Sequence, residues 1–434
     1  MRLPLGLGFL IAIVVLGGCQ SGSKTGEVVT PETLRGAIDE QLRPQVADAW
    51  TGRQVTLVAL PELSANAENA LLEPFGQIKG LTGKENAATR DELLRTLKAF
   101  TEQSLKTPGP GDPATDEAYA DQIRHIVSSL VLTARLYAEE KKWKDAAESA
   151  VRAAEFTRTS LASCVTDVWQ DVSLARLMAL DGVKELAGWP GMPPENIAQL
   201  RAGTKPISIR EVMANATKAS FVEDQIARIS DFQTSENQVK ELAGIMARFS
   251  DPAEREAFLK EALTDAKNPF HAKKTVERAG EFTTQILAVM YEPWPTIAKV
   301  VSEREAVIRA TWGKNPLETP VEKLDAADAQ PRLVNAQNPV GELLAWEVTQ
   351  NLRFQLEMAI VADAMEAAAQ IALATRAGTK IKDIPTELMR DPLSQQPFLV
   401  DEKLRMLRSP LAIKDVGDVP GVFALGLTDP GVAY

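Results

Sequence analysis

The sequence predicts a mainly α-helical fold, an array of helical hairpins closed by a small β-containing C-terminal module. Three observations point there. Helix-start signals recur along the 434 residues, proline and glycine breaks separate the stretches between them, and residues 338–376 form one long run rich in Ala, Met, Leu and Glu. These residue types lose little side-chain freedom in a helix, and the alanines let a neighbouring helix come close. Apolar residues make up 45% of the chain, enough to bury a sizeable core.

In chain order, Arg2 and the apolar residues 3–16 have the form of the basic and hydrophobic regions of a secretory signal, assigned to residues 1–18. The run falls short of the ~20 apolar residues that span a bilayer, and Pro4, Gly6 and Gly8 weaken it as a helix. Small polar residues follow, and 19–33 is expected to be a tether. Residues 55–60 read as a short strand, and Pro108-Gly109-Pro110-Gly111 breaks the chain. Residues 130–158 read as helix, charged turn (Glu139-Glu140-Lys141-Lys142-Trp143-Lys144) and helix, and a third helix reaches Leu186 before Trp189-Pro190-Gly191. Ser208 with Glu211 and Ser235 with Gln238 have capping-box spacing, and Thr319-Pro320-Val321-Glu322 adds a proline at the first helical position. Asn338-Pro339 opens the longest helix and Gly378 stops it. The helical body is thus expected over 34–380, with a helical hairpin near 117–160, and the β-containing module over 381–434.

Composition and motif content exclude several functions. The net charge of -11 argues against nucleic acid, because phosphate neutralisation needs clustered Lys and Arg. There are two histidines, His125 and His271, and no His/Cys pattern that would hold zinc. No Gly-x-Ser-x-Gly elbow or phosphate-cradling glycine loop occurs, so neither cofactor nor metal is expected. His125 reads as a surface or core histidine within an amphipathic helix, and the adjacent Glu223 and Asp224 point to different sides of a helix and read as solvated. Carboxylate catalysis is harder to exclude, since it needs only two acids at a set separation.

One constellation stands out as a candidate ligand contact: Tyr291, Glu292 and Trp294 in Tyr291-Glu292-Pro293-Trp294-Pro295. Two prolines break a helix there and bring an acid between two aromatics, the chemistry of a sugar or peptide site. The competing reading is a kink whose aromatics plug the core.

Leu16-Gly17-Gly18-Cys19 resembles the lipobox of bacterial lipoproteins. That resemblance implies cleavage before Cys19 and its lipidation, and acyl chains at ~0.8 kcal/mol per buried methylene make a stable anchor. Gln20 and Ser21, in place of an aspartate, imply the outer membrane, lipid-anchored on the periplasmic face, with the inner membrane or cell surface as alternatives. With Cys19 committed to lipid, Cys164 has no intrachain partner and reads as a small buried hydrophobe. Leu130, Ala134, Tyr137, Ala146 and Ala153 resemble one tetratricopeptide-type hairpin. Ala150 stands in place of the usual aromatic, Arg158 in place of the usual proline, and no second copy follows, so the family's ligand groove is not implied. Residues 130–200 and the tail are similar to a group of uncharacterised exported bacterial helical proteins. The tail, with Ile384-Pro385, Asp391-Pro392-Leu393-Ser394-Gln395-Gln396-Pro397-Phe398 and Phe423-Ala424-Leu425-Gly426, also resembles the Asp-Pro finish of type II secretion pseudopilins, where glycine usually sits near Gln395.

The function expected from the sequence is a membrane-anchored periplasmic scaffold that binds an envelope protein partner. The alternative is an envelope enzyme such as a carboxylate-dependent peptidoglycan hydrolase. A deep pocket with convergent acids would favour the enzyme, an exposed contact surface the scaffold.

Overall fold

The computed structural model describes residues 28–36, 42, 64–66, 86–105, 116–162, 168–234, 270–312, 338–401, 406–411 and 422–424. Cys19 and the signal region, the strand at 55–60, the break at 108–111, Cys164, Ser235 with Gln238 and Thr319 to Glu322 lie outside the described residues.

The fold is mainly α-helical with a small antiparallel sheet at the C-terminal end. Helix α1 (Pro31–Arg35) starts where Thr30 Oγ1 accepts from the Thr33 amide at 3.4 Å and Pro31 supplies a preset φ. The tether expected over 19–33 needs correcting at its far end. Val29 is docked on both sides of its peptide: its N–H donates to Gln233 Oε1 at 2.9 Å, and its carbonyl accepts from Gln233 Nε2 at 2.7 Å and Ser230 Oγ at 3.0 Å. These bonds satisfy the backbone of an extended entry, and buried Leu34 follows it into a core with Leu42, Phe221 and Phe282.

Helix α2 (Ala87–Leu105) buries Leu93, Leu97 and Phe100 on one helical stripe. Helices α3 (Asp116–Glu139) and α4 (Trp143–Ala162) form the expected hairpin, turned by Lys141 at φ 58 with its N–H on the Ala138 carbonyl at 2.9 Å. Ala134 and Ala138 meet Ala146, Ala147, Ala150 and Ala154 in one buried seam, so Ala150 sits where bulk would push the helices apart. Helix α5 (Trp169–Ala187) returns alongside, and a Cβ on its Gly182 would lie 2.9 Å from Val131 Cγ1. Gly191 at φ 84 then reverses the chain into α6 (Pro194–Gly203).

Helix α7 (Ile209–Ser220) is capped by Ser208, whose hydroxyl accepts from the Glu211 amide at 3.4 Å. It continues through one π turn, Phe221–Gln225, into α8 (Ile226–Asp231). Helices α9 (Ala272–Ala288) and α10 (Trp294–Trp312) are separated by a turn at 289–293, the predicted proline break. Helix α11 (Pro339–Arg376) is the axis of the fold and packs against α5, α6, α7, α9 and α10. Its segment Leu352–Arg376 is long and apolar enough to cross a membrane, yet it is mostly buried among these neighbours, as a core helix is. Gly378 at φ 89 ends it: Gly378 N–H bonds to the Thr375 carbonyl at 3.0 Å and Thr379 N–H to Ala374 at 2.9 Å.

The C-terminal strands β1 (Leu399–Asp401), β2 (Met406–Arg408) and β3 (Val422–Ala424) form an antiparallel sheet in sequence order, with Val400 opposite Leu407 and Leu407 opposite Phe423. This region is no separate body. Ile384, Leu393, Phe398 and Leu407 are buried in the same cluster as Trp169, Ile297 and Leu356 of the helices.

Candidate functional site

Between α6 and α7 residues 204–208 are outside any helix: Thr204 N–H still bonds to the Leu200 carbonyl at 3.0 Å, and the chain then runs past α11 to the capping residue Ser208. Buried backbone groups there need partners, and one stripe of α11 supplies them. Asp363, Glu366 and Gln370 follow one another at helical spacing and share a face. Gln370 Nε2 donates to the Thr204 carbonyl at 2.8 Å, and Asp363 Oδ1 accepts from the Ile209 amide at 2.6 Å. Two arginines complete the fastening. Arg210 Nε reaches Asp363 Oδ2 at 2.6 Å, and Arg176 grips Glu366 with Nε at 2.5 Å and Nη2 at 3.1 Å. Arg176 is fully buried and also donates to the carbonyls of Ala154 and, at 2.8 Å, Lys205. The stripe thereby ties α4, α5 and α7 to the central helix.

Burial raises the carboxyls of Asp363 and Glu366 above the ordinary carboxylate range, and the guanidinium facing each opposes the rise. All four carboxylate oxygens accept an N–H in this arrangement. Removing either arginine would strand a buried charge at a cost of about 3–5 kcal/mol.

Asp363 and Glu366 of the stripe line a cleft of about 310 Å³, bounded by residues 206–210, by α11 and by the turn at 387–395. The turn is built on Asp391, which is fully buried and accepts from the amides of Leu393 at 3.1 Å and Ser394 at 3.0 Å and from Ser409 Oγ at 2.5 Å. Gln395 closes it in the left-handed region at φ 59, with its N–H on the Asp391 carbonyl at 2.8 Å and its side-chain amide on the Pro392 carbonyl at 2.8 Å.

The aromatics and the acid of the predicted constellation sit beside this cleft but do not converge. Tyr291 is 43% exposed, lies with its ring centroid 4.6 Å from the Arg210 guanidinium and points its hydroxyl at Glu211 Oε1 at 3.4 Å. Burial of its inner face raises the Tyr291 hydroxyl above its usual value and keeps it a donor. Trp294 is 5% exposed and plugs the core, its backbone N–H on the Leu393 carbonyl at 2.8 Å. Glu292 is exposed on the turn between them. The expectation of an acid held between two aromatic platforms is therefore corrected: with the turn that follows Ala288, Trp294 is buried in the core while Tyr291 and Glu292 are left exposed. His125 and Asp224 are both exposed, and the described residues contain no His/Cys/Asp/Glu cluster that could hold a metal ion.

Sequence reasoning missed Arg176, Arg210, Asp363, Glu366 and Gln370. The available signal was three polar side chains at helical spacing inside the otherwise apolar run 358–374. The chain matches no protein-family model, no curated protein and no solved structure.

Proposed function

We propose that the chain is a lipid-anchored helical protein on the periplasmic face of the outer membrane, acting as a scaffold through contacts with an envelope protein partner. The observation that carries the scaffold reading is the state of the buried acids. Asp363 and Glu366 are the convergent carboxylates a hydrolase would need, and each is committed to its own arginine. A proton-transferring acid must exchange its proton with substrate, which these pairs oppose by charge and by geometry. The anchor rests on Leu16-Gly17-Gly18-Cys19.

Affinity capture from detergent-solubilised envelopes, with Cys19 intact, tests the role. One envelope protein recovered in fixed proportion, together with no release of fragments when the purified full chain meets peptidoglycan, is the expected result. Fragment release that Asp363→Asn or Glu366→Gln abolishes, with the melting temperature retained, would replace the scaffold by an enzyme.

A further inference from the structure

The charges at the base of the cleft are matched, whereas two at its rim are not. Asp363 and Glu366 face Arg210 and Arg176, so the base is neutral in sum. Glu387 and Arg390 stand one turn apart at the mouth, both exposed and opposite in charge, and neither belongs to an ion pair among the described residues. Among the described residues Arg390 is engaged only through Nε, by the Gln395 carbonyl at 3.3 Å, and its two terminal nitrogens meet no acceptor there. Pro206, Ile207, Leu388 and Pro392 give the walls between rim and base an apolar surface. A volume of about 310 Å³ is at the lower end of small-molecule sites.

We propose that this cleft binds a small zwitterion of the α-amino-acid class, its carboxylate on Arg390, its ammonium on Glu387 and an apolar side chain against the prolines and Leu388. The neutral base requires no net charge from the ligand, and the rim offers one group of each sign. Both rim groups are reached at once by a molecule that carries its two charges close together, as an α-amino acid does. A longer peptide separates its termini, and a sugar strand or dinucleotide exceeds the space. The guanidinium presents paired donors to a carboxylate, and charge-assisted hydrogen bonds are the strong ones.

Calorimetric titration of the full chain in detergent with three probes tests the site: leucine, leucine methyl ester, which lacks the carboxylate, and 4-methylpentanoate, which lacks the amine. Leucine should bind saturably, and each truncated probe about tenfold or more weakly, the loss expected for one charge-assisted contact. Arg390→Ala and Glu387→Gln should each weaken leucine by about tenfold as well. Both side chains are exposed, so the melting temperature of these variants should stay at the wild-type value. No saturable binding of leucine, equal affinity for the three probes, or unchanged leucine affinity in both variants would overturn the site. Such a failure would leave the scaffold role standing, since that rests on the committed buried acids and on partner capture.

Discussion

Arg176 is the residue on which most of the buried polar order depends, because its guanidinium serves one carboxylate and two backbone carbonyls without any contact with water. Glu366→Ala would leave that cation buried and unpaired, and urea denaturation should show a loss of about 3–5 kcal/mol. Glu366→Gln should lose less, since its amide oxygen still accepts from Arg176; equal losses for the two variants would mean that the pair is not the fastening described. Gln395 gives a second residue-scale expectation. A non-glycine side chain in the left-handed region costs about 1–2 kcal/mol, and β-branched residues suffer most. Melting temperatures should therefore rank Gln395→Gly at or above wild type and Gln395→Val below it, with the Gln395 bond to the Pro392 carbonyl limiting the gain from glycine.

Among the elements, the break between α9 and α10 separates a packing role from a chemical one. Trp294→Ala removes a buried ring and should cost about 3–5 kcal/mol in equilibrium unfolding, whereas Glu292→Gln on the exposed turn should leave stability within about 0.5 kcal/mol of wild type. The reverse order would return Trp294 to the surface and revive the aromatic platform. The seam between α4 and α6 is comparably tight: a Cβ on Gly203 would overlap Val151, so Gly203→Ala should cost about 1–3 kcal/mol by the same measurement. Local signals made these elements legible. Ser208 announced α7, Asn338-Pro339 opened α11 and Gly378 closed it, each by satisfying or terminating backbone hydrogen bonds. The cleft was not legible in that way. Arg176 meets Glu366 across 190 residues and Arg210 meets Asp363 across 153, pairings that no local pattern encodes. The tether boundary was misplaced for the same reason, because Val29 is held by Gln233, 204 residues away.

For the whole molecule, the long central helix and the shared hydrophobic cluster join the C-terminal turn and sheet to the helical body, which makes the cleft a seam inside one core and not a gap between independent parts. That continuity favours a rigid contact surface, and a lipid at Cys19 would present it at the membrane through the short stretch that precedes Val28. Intact mass and N-terminal peptide mass spectrometry of the mature protein test this placement most directly. The predicted result is a chain that begins at Cys19 and carries acyl groups on it, with Cys19→Ser remaining unacylated and uncleaved. An unmodified N-terminus at Gln20 or later in the wild-type protein would contradict it.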